Sequence, residues 1–508
     1  MRLSELAERI RGSRVIGAGD VEVLRAVHDS RRVRRGDLFV ALSGTTTDGH
    51  QFVQSALDAG AAAAVVEREV DLPGGPPLLR VDDAREALGL CAHALAGDPT
   101  RRLIVCGVTG TNGKTTTTYL VRRIFECAGW PTGVLGTIGY LIGGREIPSR
   151  LTTPDADDLA GYFSEMVEGG LKAAVMEVSS HALHQKRAAG IAFDVGAFTN
   201  LSPEHLDYHQ NMYSYREAKG MLFAALAPDA RAVLNADEEA SRSFNEATRA
   251  GVLWYGIDEP ADVRAEAIRA DVGGSRFTLA TPRGRTEIRT PLLGRHNVYN
   301  CLTAAAIAEA LDVPHETIVE GIRAVETVRG RLERVPTAMP FGVLVDYAHK
   351  TDALMHALST VRGLVEGQGR LVVVFGCGGD RDRQKRPAMA RVAEKLADRI
   401  FVTSDNPRTE RPEAIADEIL AGFGSMEVVT VELDRRAAIG LALAEAAPGD
   451  VVIIAGKGHE TYQIIGDVTR PFDDRAVAAE ILRTLEADRD LPPPSPGARE
   501  TGQDEVSS

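Results

Sequence analysis

The sequence predicts an α/β protein built around parallel sheets, in about three domains. Three observations lead there. Strand-like apolar runs alternate with helical stretches over most of the chain. A Gly-rich loop carrying Lys114 and Thr115 falls between one such run and a helix. The 508 residues are 44% hydrophobic and 26% charged, which is ordinary globular composition with apolar mass for several cores.

The elements follow in order. The first domain, expected over residues 1–98, has strands at DLFVAL (37–42), AAAAVVE (61–67) and LLRVDD (78–83). An Ala-rich helix over 84–96 closes it, and Gly97-Asp98-Pro99-Thr100 reads as a linker. The second, over 99–330, opens with RLIVCGVT (102–109) and continues through AAVMEV (173–178), DVGAFTN (194–200) and RAVLNAD (231–237). The third, over 331–490, has strands at VLVDYAH (343–349), LVVVFG (371–376), RIFVTSD (399–405) and VVIIAG (451–456). Between them a helix over 387–397 puts Met389, Val392, Ala393 and Leu396 on one face. The last stretch, 491–508, is rich in Pro, Gly, Ser and charge, and is expected to be disordered.

Charge and cysteine usage exclude several classes. Lys plus Arg number 58 against 72 Asp plus Glu, a formal charge of −14. A general nucleic-acid or membrane-surface binder needs a basic face, so neither is expected. An anionic substrate requires a locally basic site. No run approaches the ~20 apolar residues of a membrane span, and MRLSELAERIRGSRVIG lacks the apolar core of a secretory signal. Cys91, Cys106, Cys127, Cys301 and Cys377 have no CxxC spacing and read as buried thiols of a reducing, cytoplasmic compartment.

The chemistry-bearing motifs cluster in the second domain. Gly107-Val-Thr-Gly-Thr-Asn-Gly-Lys-Thr115 sits where a phosphate loop must sit, after a strand and before the helix over 116–127. Glycines let backbone N–H groups turn toward phosphate oxygens, and the helix N-terminus adds a positive dipole end. Lys114 reaches the β- and γ-phosphates, and the Thr115 hydroxyl can hold Mg²⁺. The strict GxxxxGK[ST] pattern fails, because its first position falls on Val108 and the glycines are spaced by three. A functionless Gly-rich turn would not need Lys-Thr-Thr at a strand–helix junction. Glu177 ends a second strand, where a carboxylate can take a nucleotide-bound metal. His205 and Asp207 lie in a loop after a third. Alone, each would be read as a strand-end charge or a surface His. Beside a phosphate loop, at strand carboxyl ends, they read as a site.

These residues resemble the Mur ligases, ATP-dependent enzymes that add amino acids in peptidoglycan synthesis. The matching pieces are TGTNGKTT (109–116), MEVSSHAL (176–183), TNLSPEHLDYH (199–209), EAK (217–219), GRHNVYN (294–300), GRLE (330–333), DYAH (346–349), GCGGDRDRQKRP (376–387), DNPR (405–408) and GKGHE (456–460). They run in order through all but the tail. The resemblance is strongest to the branch that adds meso-2,6-diaminopimelate to UDP-MurNAc-L-Ala-D-Glu. It implies a UDP-binding N-terminal domain, a central P-loop-type ATPase domain and a Rossmann-like C-terminal domain, in a monomeric enzyme.

The same resemblance assigns residues. Gly110, Thr111, Asn112, Gly113, Lys114, Thr115 and Thr116 would hold ATP, with Asn297 and Asn300 on the adenine side and Arg331, Asp346 and His349 near the nucleotide. Lys219 matches the carbamylated lysine of the family, and with Thr115, Glu177 and His205 would serve Mg²⁺; a free Lys would repel the ion, whereas a carbamate supplies anionic oxygens. Ser30, Thr45, Thr46, Thr47, Thr152, Thr153, Ser179, Gln185 and Arg187 would contact the UDP-sugar peptide. Leu151 stands where some relatives have a polar residue. Arg381, Asp405, Asn406, Pro407, Arg408, Gly456 and Glu460 would hold diaminopimelate, with Arg408 as a planar fork for its distal carboxylate.

The implied chemistry is phosphorylation of the D-Glu γ-carboxylate by ATP, then attack of the incoming amine on the acyl phosphate. Holding three substrates implies closure that excludes water. Competing readings are an L-lysine-adding relative, folylpolyglutamate synthetase, and an ATP-binding regulatory protein with a dead site. DNPR with GKGHE argues against the folate enzyme, and intact Lys114, Thr115, Glu177, His205 and Lys219 argue against decay.

Overall fold

The computed structural model describes residues 1–44, 47–271, 273–365, 367 and 369–489. Thr45 and Thr46, expected at the UDP-sugar site, and the tail 491–508 lie outside the described residues. The chain forms two compact units. The first comprises Met1–Ile268, Arg276–Arg289 and His296–Val325; the second runs from Glu326 on, with Arg269–Ser275 and Thr290–Arg295.

The first unit contains a five-stranded sheet in the order Arg14–Ile16, Leu78–Arg80, Ala63–Val66, Leu38–Val40, Ala26–Val27. All its pairings are parallel except that of Arg14–Ile16 with Leu78–Arg80. The helix Ala84–Leu95 is fixed at its start by the Asp83 side chain, which accepts from the Glu86 N–H. Ala156 and Ala160 of the helix Ala156–Glu168 join the same apolar core as Ala84, Ala87 and Leu88.

That helix belongs to the central sheet of the unit. Six parallel strands form its middle, in the order Thr132–Leu135, Ala173–Glu177, Ile104–Thr109, Val195–Phe198, Arg231–Asn235, Gly251–Gly256. An antiparallel hairpin, Gly139–Ile142 with Arg145–Pro148, extends one side, and three more strands bring the sheet to eleven. The expected parallel strands are present, each trimmed by a few residues. The hairpin was not anticipated, because Gly143-Gly144 is a short turn signal beside a strand with little alternation.

The second unit is a six-stranded sheet. Gly342–Asp346, Val451–Ala455, Leu371–Phe375, Arg399–Val402 and Val429–Val431 run parallel in that order, with Glu333–Arg334 antiparallel at the edge. Its strands read as continuous apolar runs because both faces are covered. Leu371, Val373 and Phe375 enter a core shared with Met389, Ala390 and Ala393 of the helix Lys385–Leu396. Val372 and Val374 point the other way, into a core shared with Ala438, Ile439 and Ala478. No helix among the described residues is long and apolar enough to cross a membrane.

Candidate active site

The phosphate loop of the first unit leaves the strand Ile104–Thr109 and enters the helix Lys114–Cys127. Gly113 caps that helix at φ +86°, in the left-handed region, and a Cβ there would also strike the Asn300 side chain. Only Gly fits both conditions. Four consecutive threonines open the helix, a poor choice on propensity alone. Two have local uses: the Thr118 hydroxyl donates to the Thr115 carbonyl at 2.8 Å, and the Thr115 hydroxyl donates to Glu177 Oε1 at 2.9 Å.

Glu177 is the hub of this half of the site. It is buried at the end of its strand and accepts from Thr115, from the Thr137 N–H at 2.8 Å and from the Thr137 hydroxyl at 3.0 Å. Thr137 Oγ1 lies 3.1 Å from Thr152 Oγ1. The next residue, Thr153, donates to the Glu177 carbonyl at 2.9 Å and accepts from the Ser179 N–H at 3.0 Å. Arg187 donates to the Thr153 carbonyl at 2.9 Å and to Gln185 Oε1 at 2.6 Å. Thus Thr115, Glu177, Thr152, Thr153, Ser179, Gln185 and Arg187 form one connected network. Thr137, missed by sequence reasoning, joins its phosphate-loop and Thr152 ends. The only sequence cue was a Thr just after Gly136 at a strand's carboxyl end.

Lys114 Nζ donates to the carbonyls of Gly110 and Thr111, both at 2.8 Å. Lys219 is fully buried; its Nζ donates to the same Gly110 carbonyl at 2.9 Å and sits 4.3 Å from the Tyr215 ring centroid. Burial, and then the charge of Lys114, hold the Lys219 amine well below the usual lysine range. Thr111 Oγ1 lies 3.2 Å from Tyr215 Oη, and the Asn112 N–H donates to Asn200 at 2.9 Å. Thr116 is buried. Asn300 donates to Asn297 at 2.8 Å, both side chains being buried in the helix Arg295–Ala310. Asn300 lies against Gly113, beside the phosphate loop.

His205 does not sit in a simple loop. It takes φ +57° and caps the helical turn Leu206–His209. Its ring lies 4.6 Å from that of His181 and 6.4 Å from that of Tyr215, so Tyr215 is shared by His205 and Lys219. Among the described residues no group of three or more His, Cys, Asp or Glu could hold a metal ion. The oxygens of Thr115 and Glu177 are hard ligands that fit Mg²⁺, an ion usually held by one or two carboxylates together with substrate phosphates.

Ser30 begins a short 3-10 helix, Ser30–Arg32, whose neighbours tie it to the central sheet's helix. His28 Nδ1 lies 3.0 Å from Asp157, and Arg32 donates to Asp158 at 2.8 Å. Ser30 is therefore held near the segment that follows Thr152 and Thr153. Thr47 accepts the Gly44 N–H at 3.0 Å through its carbonyl.

In the second unit Asp405, Asn406, Pro407 and Arg408 follow the strand Arg399–Val402 at its carboxyl end. Asn406 donates to Glu460 Oε2 at 2.8 Å, and Gln463 donates to the Asp405 carbonyl at 2.8 Å. Arg408 takes φ +51°; its Nη1 donates to the Gly379 carbonyl at 2.8 Å and lies against Gly378, which Arg381 also flanks. One guanidinium nitrogen is thus committed to the protein. Gly456, at φ +117°, lies against the Asp405 carboxylate. Tyr462 lies in the field of Glu460, Arg408, Asp405 and Arg381 together; burial first, then Glu460, raises its hydroxyl above the usual tyrosine range.

Three supports here were not anticipated. Arg386, fully buried, pairs with Glu410 and Glu418 at 2.8 Å and donates to the Gly378 carbonyl at 3.2 Å. Arg435, also fully buried, pairs with Asp474 at 2.7 Å and donates to the carbonyls of Ser404 and Ala455, the residues before Asp405 and Gly456. Lys457 is buried between Asn406 and Glu460. Arg386 and Lys457 lie inside motifs quoted from the sequence. Arg435 lies outside them and gave no cue.

Arg331, Asp346 and His349 gather around Tyr347. The Arg331 guanidinium sits 5.4 Å from the Tyr347 ring, and the His349 and His459 rings lie at 4.5 and 4.6 Å. Asp346 accepts the N–H groups of Leu332 at 2.7 Å and Ala348 at 2.9 Å; burial raises its carboxyl above the usual range. Burial also pushes His349 down to about 4.

Known proteins resemble this chain over nearly its whole length. The Mur ligase middle domain matches residues 108–308, the glutamate ligase domain of Mur ligases residues 330–458, and the Mur ligase family catalytic domain residues 26–94. UDP-N-acetylmuramoyl-L-alanyl-D-glutamate–2,6-diaminopimelate ligase of Bacillus licheniformis is 46% identical over 92% of this chain and 96% of its own. The protein of that name from Geobacillus kaustophilus is 47% identical over 95% and 99%. A solved structure bearing the name superposes with a TM-score of 0.71 at 31% identity, covering 96% of this chain and 99% of the other. With identity of this order over nearly the whole length, the chain belongs to the Mur ligase family.

Proposed function

We propose that the protein adds meso-2,6-diaminopimelate to the D-Glu γ-carboxylate of UDP-MurNAc-L-Ala-D-Glu, at the expense of ATP, making the muramyl tripeptide of peptidoglycan. The observation that carries the reading is the near full-length similarity to ligases of that name, joined to a phosphate loop wired to Glu177.

The γ-carboxylate oxygen attacks the γ-phosphorus of ATP, and ADP leaves with the electron pair of the broken P–O bond. The α-amine of the incoming amino acid then attacks the acyl carbon. It loses its proton, an amide forms, and phosphate departs. Little of this is covalent work for the protein; positioning and charge neutralisation are its share. The backbone N–H groups of Gly110, Gly113 and Lys114 would meet phosphate oxygens, while those of Thr111 and Asn112 are held by Asn200 and fix the loop. The Lys114 ammonium would offset the phosphate charge. Thr115 and Glu177 would hold Mg²⁺, with His205 proposed to serve the same ion, which when bound would supply further positive charge at the phosphates. Lys219 is proposed to carry a carbamate. Its buried amine, held below its ordinary range, can remain neutral and attack CO₂, losing a proton to leave an anion. Arg187, Gln185, Ser179, Thr152 and Thr153 would hold the peptide arm, and Ser30 and Thr47 the UDP end. Arg408, Arg381, Asn406 and Glu460 would hold the amino acid, and Asn297, Asn300, Arg331, Asp346 and His349 serve the nucleotide.

A phosphate-release assay tests the reading. Release should require ATP, Mg²⁺, the muramyl dipeptide and meso-diaminopimelate together. Release with a folate substrate and glutamate instead, or none with any combination, would defeat it.

A further inference from the structure

Lys457 has no assigned part in the reading above, yet its placement is unusual. The side chain is wholly buried. Its Nζ donates to Asn406 Oδ1 at 3.1 Å and to Glu460 Oε2 at 3.2 Å, and stands 5.6 Å from the Tyr462 ring centroid. Burying an ammonium is unfavourable unless it is paired and hydrogen-bonded. Both of its acceptors are side chains of the amino-acid site, so the charge is spent on shaping that site.

The shaping is specific because an ammonium only donates. Facing Lys457, Asn406 must present its carbonyl oxygen, and the Ile464 N–H, donating to the same Oδ1 at 3.0 Å, agrees. The Asn406 amide nitrogen is thereby turned to Glu460, donating to Oε2 at 2.8 Å. Oε2 of Glu460 then takes two hydrogen bonds from within the protein. Oε1 takes none from the described residues, and the Glu460 side chain keeps 17% exposure.

Resting on the proposed diaminopimelate-adding activity, we propose that Lys457 is a positioning residue for the amino-acid substrate. It locks the Asn406 amide and pins one oxygen of Glu460, which leaves the other to accept from a substrate ammonium group. Lys457 itself touches no reacting atom.

The test uses the full-length protein with Lys457→Met, which keeps length and apolar bulk but removes the donor. At saturating ATP and muramyl dipeptide, KM for meso-diaminopimelate should rise about tenfold or more, as expected for losing a charge-assisted hydrogen bond. The kcat should change less than about threefold, and KM for ATP should stay put. In a Glu460→Gln background the same change should cost far less, since the partner it positions is already altered. Lys457→Gln, which restores a donor, should recover part of the loss. Wild-type protein inactive with meso-diaminopimelate would overturn the underlying reading. Active wild type with an unchanged diaminopimelate KM in Lys457→Met, equal penalties in both backgrounds, or a parallel rise in the KM for ATP would overturn this assignment alone. So would loss of cooperative unfolding in both Lys457 variants, since the residue would then serve the fold.

Discussion

Lys219 and Lys114 donate to the same atom: both side-chain nitrogens reach the carbonyl oxygen of Gly110, at 2.9 and 2.8 Å. Two cations on one acceptor, one of them fully buried, would be unfavourable, so burial and the Lys114 charge favour the neutral Lys219 amine, the form that takes up CO₂. A carbamate on Lys219 would be an anion, and it would place an attraction beside the Lys114 ammonium. In ¹³C-bicarbonate the protein should show a carbamate resonance that Lys219→Ala lacks. Lys219→Ala should lower turnover by about a thousandfold, the scale of losing a preorganised charged group, with an unchanged far-UV spectrum. A fully active Lys219→Ala would rule the carbamate out of the chemistry.

Thr137 ties Glu177 to Thr152 through two hydrogen bonds to the carboxylate and one contact to the hydroxyl. Thr137→Val keeps the shape and the backbone N–H but removes the hydroxyl. One such bond is worth about 1 kcal/mol. The expected result is a several-fold fall in kcat/KM for both ATP and the muramyl dipeptide, because the network serves both. A fall for one substrate with the other untouched would show that the two halves are not coupled through this side chain.

Much of this was legible in the sequence because the chemistry is local there. The phosphate loop, Glu177, and the DNPR and GKGHE segments each sit at a strand's carboxyl end, and the strands are apolar runs bounded by turn residues. What was not legible depends on which strands become neighbours. Thr137 meets Glu177 only because Thr132–Leu135 pairs with Ala173–Glu177. Arg435 supports Ser404 and Ala455 from a helix some thirty residues after one and twenty before the other. A buried Arg there looks like any helical surface Arg until Asp474 is found opposite. Nothing in the sequence sets His205 apart from the surrounding loop, since a left-handed cap on a single helical turn has no periodicity to detect.

His28 and Asp157 join the N-terminal sheet to the central sheet's helix, at 3.0 Å. The hydrogen bond to Asp157 outweighs burial and raises His28 above its ordinary 6.5. Burial opposes ionisation of Asp157, but His28 and Arg32 hold it below its ordinary 3.8. The His28 contribution is therefore complete below about 6.5 and is lost as pH rises through its raised value. The Asp157 contribution is complete above about 4 and is lost as pH falls through its lowered value. His28→Gln should destabilise by about 1 kcal/mol near pH 5.5, where both are charged, and by less at pH 8.5. Thermal unfolding of the two proteins at both pH values gives the comparison. A difference in Tm that is the same at each pH would mean that the contact does not act through charge.

Arg408 carries the last prediction, the choice of amino acid. Diaminopimelate differs from L-lysine by a carboxylate beside its distal amine. Arg408 stands at the carboxyl end of its strand, stiffened by Pro407, with Nη1 fixed to the Gly379 carbonyl. That bond spends one nitrogen but fixes the plane, and the rest of the fork can meet a carboxylate. Lysine would leave the cation unpaired and bring an ammonium group toward Arg408. The wild-type protein should therefore prefer meso-diaminopimelate strongly. Arg408→Ala should cut that preference by about ten- to a hundredfold, the range for a hydrogen bond to a charged group. The loss should fall on kcat/KM for diaminopimelate, with that for L-lysine little changed and ATP binding intact. Competition between the two amino acids, read as product ratio, measures it directly. Equal kcat/KM for both in the wild type would remove Arg408 as the selector, and with it the reason to favour diaminopimelate over lysine.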